Sequence, residues 1–104
     1  GLNRNKYADT GIPDLFQWMI RIGASPERII AKMAGGAQMF QLKGKQEFLQ
    51  IGKRNVEACK AILDKLNIKT VSEDVGGNMG RTIELDTATG RLKIHSLNQP
   101  LKEI

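Results

Sequence analysis

Between residues 10 and 22, Ile12, Leu15, Phe16, Met19 and Ile20 fall at i, i+3, i+4, i+7 and i+8, which places them on one face of an α-helix. The spacing predicts a helix capped by Asp9 or Thr10 and stopped by Gly23, with Pro13 in a first turn whose amides lack intrahelical partners. Trp18 lies off the centre of the stripe and is expected at the edge of the core. The run 28–34 is apolar and β-branched near its start and ends at Gly35-Gly36, the pattern of a buried strand entering a tight loop. Residues 37–49 show no period, and Gly44 with its neighbouring lysines points to an exposed excursion. Helical spacing returns with Val56, Cys59, Ile62, Leu63 and Leu66, for which Gly52 and Asn55 offer a start. Cys59 sits inside that stripe and reads as a small buried thiol.

Beyond Asn67 the period drops to two. Residues 68–75 read as a strand ending at Gly76-Gly77, and 81–85 as another. The stretch 86–90 makes a hairpin turn in which Gly90 supplies positive φ, leading into a strand over 91–97. There Leu92, Ile94 and Ser96 alternate with Lys93, His95 and Leu97, so His95 shares a face with Lys93 and is expected to be half-exposed. The tail 98–104 contains Pro100 and is expected to be loosely held. Helix, strand, helix, then strands define an α+β domain.

Composition narrows the chemistry. The 104 residues carry 16 Lys+Arg against 11 Asp+Glu, a formal charge of +5, and match the size of a single domain over 1–104. One cysteine and one histidine exclude a Cys/His zinc cluster, an iron-sulfur site and an intrachain disulfide. No apolar run approaches the ~18 residues of a membrane span and no leader opens the chain, so neither membrane insertion nor export is expected, and a cytoplasmic location is the default. The chain opens at Gly1 in a polar basic stretch without an initiator methionine, which reads as an internal cut and sets the expectation of a fragment. The basic residues are dispersed, with only Lys53-Arg54 adjacent, and aromatics make up 5%, so the charge describes a solvated mixed surface and not a nucleic-acid face.

The glycine pairs Gly35-Gly36 and Gly76-Gly77 are open to two readings: tight turns with close chain approach, or backbone amides presented to a ligand. A dinucleotide fingerprint needs a helix directly after the loop, whereas a β-pattern follows Gly76-Gly77 and Gly80. Glu73 and Asp74 are adjacent in a strand and therefore face opposite sides, which stops them from sharing a substrate. The residues alone name no reaction.

Four stretches stand out in order and spacing: KYADTGIP at 6–13, GGAQMF at 35–40, IGKRNVEA at 51–58 and EDVGGNMGR at 73–81. Over nearly its whole length to Leu97 the chain resembles the CheD family of chemoreceptor glutamine deamidases. The resemblance implies a cofactor-free, metal-free cysteine hydrolase. A thiolate freed by a histidine base attacks a receptor glutamine amide, ammonia leaves, and water cleaves the thioester to give glutamate. The family's nucleophile, in a Gly-Ser-Cys motif, and its histidine both precede the KYADT motif. Neither Cys59 nor His95 matches those positions, so no catalytic residue is assigned to this chain. The resemblance further implies a layered α/β sandwich with packed sheets flanked by helices, here lacking the N-terminal strands. Its implied partners are chemoreceptors and a CheC-type phosphatase, and two readings stay open for the missing N-terminal part, a separate chain or a piece removed by proteolysis. Gly35, Gly36, Phe40, Gly76, Gly77 and Asn78 are the candidate substrate- or partner-binding residues, Phe40 being either an exposed anchor or a core residue. A non-catalytic module that docks receptor helices or a CheC-type partner is the alternative.

Overall fold

A computed structural model describes residues 4–37 and 51–104. The first apolar stripe forms α1 (Ala8–Arg21), two residues earlier than its pattern predicts. Tyr7 takes the N-cap position without a side-chain cap bond, so Asp9 and Thr10 lie inside the helix and Pro13 falls beyond the first turn. The reason is a set of contacts to the preceding turn at Arg4–Lys6. The Thr10 hydroxyl donates to the main-chain oxygens of Arg4 and Tyr7, and the Arg4 guanidinium grips Asp14 through bonds of 2.6 and 2.9 Å. Gly23 ends the helix as expected: its N–H and that of Ala24 donate back to Ile20 and Met19, closing the last turn in a left-handed cap. Ile12, Phe16, Met19 and Ile20 are half-buried, while Leu15, Trp18 and Ile22 face solvent. Trp18, 56% exposed, lies further out than the edge of the core.

Strand β1 (Ile30–Gly35) begins later than predicted because Pro26–Arg28 wind into a 3-10 turn, with the Arg28 N–H donating to Ser25. It is half-buried and not fully buried, and among the described residues it has one neighbouring strand in its sheet. That neighbour is β2 (Lys69–Val75), parallel to it from Ile30↔Lys69 to Gly35↔Val75 with a register shift between Ala31 and Lys32. A parallel pair needs a crossover, and helix α2 (Ile51–Lys65) lies on it. Asn67, at φ 59°, caps α2, and the Ile68 N–H reaches back to Leu63. Both of those side chains are buried, so the cap also seals the core beneath the helix end.

The second sheet is antiparallel and runs β3 (Thr82–Leu85), β4 (Leu92–His95), β5 (Lys102–Glu103). The hairpin turn over 86–90 is as predicted, with Asp86 and Arg91 paired and Gly90 at φ 76°. Leu92 and Ile94 are buried, Ile94 to 2% exposure, and His95 points outward. The tail is not loose. After a turn at Asn98 it returns as β5, and Leu92 and Ile104 exchange two main-chain bonds of 3.0 and 2.9 Å.

The layers follow from side-chain bridges. Glu73 meets Lys60 of α2 at 3.3 Å on one face of the parallel pair. On the other face Asp74 meets Lys102 at 3.9 Å, and the Lys32 amine donates to Gly90 O and Ile104 O at 2.6 and 2.7 Å. The pleat therefore separates the two carboxylates as expected. Helices, a two-stranded sheet and a three-stranded sheet stack in that order, the α+β layering predicted from sequence.

Candidate functional site

Where the β1–β2 ladder ends, both chains turn through left-handed glycines: Gly35 and Gly36 on one side, Gly76 and Gly77 on the other, with φ between 69° and 110°. The Gly76 N–H donates to Gly35 O at 2.9 Å, one step past the last ladder pair, so the two glycine pairs lie side by side at one edge.

Two further elements close on this edge. The first turn of α2 backs onto the Gly35-Gly36 loop, and a Cβ on Gly36 would overlap Val56 and crowd Gly52 O at 3.0 Å. Gly52 is buried at the same contact, where its Cα faces the oxygens of Gly36 and Ala37. Sequence placed Gly52 at a helix start; its requirement is close backbone approach. From the opposite side comes Arg81, next to the start of β3, with a side chain only 10% exposed. Its Nη1 donates to Gly35 O at 3.2 Å and to Met79 O at 3.3 Å. Its Nη2 donates to Gly76 O at 2.9 Å and lies 3.5 Å from Asp74 Oδ1.

Shallow clefts flank the edge. One of about 340 Å³ is lined by Gly36, Gly76, Gly77, Val56 and Lys60. Another of about 520 Å³ includes Gly77, Asn78, Arg81, Asp74, Gln99 and Lys102. Gly77 and Asn78 are exposed. Five of the six sequence-predicted residues, Gly35, Gly36, Gly76, Gly77 and Asn78, thus converge, and Phe40 lies outside the described residues. Among the described residues no group of three His, Cys, Asp or Glu side chains is arranged to hold a metal ion.

Cys59 and His95 are not brought into this edge. Cys59 is half-buried on α2 and lines a groove of about 920 Å³ with Tyr7, Ile12, Leu15, Asn55 and Ala58, and burial pushes its thiol pKa up. That is the opposite of the activation a nucleophilic thiol needs. His95 is exposed on β4 in the other sheet. Sequence reasoning missed Arg81, because its partners are main-chain oxygens on separate segments, which no side-chain pattern encodes. The one available signal was its place at the end of the EDVGGNMGR stretch.

The geometry defines a layered α+β domain whose candidate site is an edge of main-chain groups held by a half-buried arginine. The family model for CheD chemotactic sensory transduction matches residues 1–96, and the chain belongs to that family. Among its relatives is the probable chemoreceptor glutamine deamidase CheD of Caldanaerobacter subterraneus subsp. tengcongensis, 49% identical over 98% of this chain and 63% of the relative. The chemoreceptor glutamine deamidase CheD of Halalkalibacterium halodurans is also 49% identical, with the same coverage. A probable chemoreceptor glutamine deamidase CheD of Desulfitobacterium hafniense is 48% identical over 100% of this chain and 65% of the relative. The chain therefore spans a little under two thirds of these relatives' length. Among the described residues no helix is long and apolar enough to cross a membrane.

Proposed function

We propose that this chain is the C-terminal portion of a single-domain chemoreceptor glutamine deamidase, a cysteine amidohydrolase acting on glutamines of chemoreceptors in the cytoplasm. The observation that carries the reading is the family match over residues 1–96, joined to relatives of that name at 49% identity. In this reading thiol, base and oxyanion donors come from the part of the domain that precedes Lys6, and the paired glycine loops form the edge that meets that part or the receptor helix. The setting of Cys59 supports it, since a thiol whose pKa is raised by burial is a poor nucleophile at neutral pH. The exposed apolar side chains Leu15 and Trp18 on α1, Ile22 at its C-cap, and Ile83 and Leu85 on β3 support a larger domain that covers them. Phe40 is a candidate partner-binding residue on its place in the GGAQMF stretch alone, and the proposed partners include a CheC-type phosphatase.

The 104-residue chain is accordingly inactive alone. Mixed with a glutamine-bearing receptor fragment it releases no ammonia, and the receptor gains no glutamate by mass, whereas the full-length protein yields one ammonia per glutamate formed. Turnover by the 104-residue chain that Cys59→Ala abolishes would overturn the assignment. A full-length protein that binds the receptor fragment without releasing ammonia selects the non-catalytic module.

A further inference from the structure

We infer that Arg81 is the positioning residue of the docking edge, the group that fixes both glycine loops in the shape a receptor helix meets; this rests on the functional reading above. Four glycines in a row of left-handed turns are the most permissive backbone a chain offers, and left to themselves they sample many conformations. The ladder holds Gly35 through its pairing with Val75, and past that pair, among the described residues, the bond from the Gly76 N–H to Gly35 O links the two loops.

Arg81 supplies what the ladder does not. Its guanidinium holds Gly35 O on the first loop, Gly76 O on the second and Met79 O on its own segment. Asp74, 22% exposed, lies 3.5 Å from Nη2 on the same side. A planar fork with fixed donor directions serves Gly35 O on one segment together with Gly76 O and Met79 O on the other, which the single point of a lysine ammonium does not match. The arginine also sits beside the second sheet, so it transfers the position of that sheet to loops that belong to the first. All its near neighbours are oxygens of the scaffold, which makes it a holder of the edge and not a group aimed at a ligand.

The test uses Arg81→Lys and Arg81→Ala in the full-length protein. With a receptor fragment as substrate, Arg81→Lys raises KM on the order of tenfold and leaves kcat within about twofold, because the lost interaction shapes binding and not the chemical step. Methylguanidinium added to Arg81→Ala restores KM, which an ammonium salt at equal concentration does not. Hydrogen exchange reads the holder role without any substrate: the Gly76 amide exchanges at least about tenfold faster in Arg81→Lys. An unchanged KM with a lowered melting temperature makes Arg81 merely structural and overturns the inference, as does unchanged exchange at Gly76. A wild-type protein that turns over no receptor glutamine sinks the functional reading instead, and the exchange measurement still decides whether Arg81 holds the loops.

Discussion

Cys59 is the residue at which a tempting chemistry and its environment part company. Under the proposed reading of a cysteine amidohydrolase, a lone thiol invites assignment as the nucleophile, yet it lies half-buried on α2, and desolvation raises its pKa. Iodoacetamide at pH 8 should alkylate it more slowly than a free cysteine, since only the thiolate reacts and burial raises its pKa. The sign for stability follows from the same shift. The folded thiol keeps its proton to higher pH than the unfolded one, so its contribution is complete below the ordinary thiol pKa and is lost as pH rises through the folded value. Cys59→Ala in the full-length protein should leave deamidation within about twofold, checked by ammonia release. The place of Cys59 on the inward stripe of α2 was legible in the sequence, but the stripe reads it as a buried thiol, whereas it is half-buried and lines a groove beside α1.

At the scale of elements, the contact between α2 and the Gly35-Gly36 loop depends on the absence of a side chain at Gly52. Alanine there would gain about 1 kcal/mol of helix propensity. Its Cβ, however, would overlap Gly36 O and stand 2.7 Å from Ala37 O, and main-chain atoms yield only by moving the loop. Overpacking of that kind costs about 1–3 kcal/mol and wins, so Gly52→Ala should lower the urea midpoint, whereas the same change at an exposed helix position should raise it. Periodicity placed both helices, the hairpin and strand β2, because their signals lie within each segment. It misplaced the start of α1, which is set by the bridge from Arg4 to Asp14. It missed β5 for a related reason: Lys102–Glu103 has no pattern of its own and becomes a strand only because β4 presents partners for it. The candidate glycine edge was half legible, its glycines from their place at strand ends and its arginine only as the last residue of the EDVGGNMGR stretch.

Across the whole molecule, the Lys32 amine joins the two sheets by holding Gly90 O and Ile104 O, partners 58 and 72 residues further along the chain. Lys32→Met should keep the aliphatic stem packed and remove about 1–2 kcal/mol of charge-assisted bonding. The separation along the chain also sets an order of events. Neither oxygen is in place until the hairpin has closed and the last strand has paired, and contacts that enclose so much chain come late on the route to the native state. A bond made after the barrier has been crossed leaves the rate of folding alone and acts on the rate of escape. Stopped-flow measurements on Lys32→Met in the full-length protein should therefore show unfolding faster by about fivefold or more, with refolding changed by less than about twofold. One lysine in the first half of the chain thus acts as a kinetic latch, and its strength decides how long the sheets stay together once they have met.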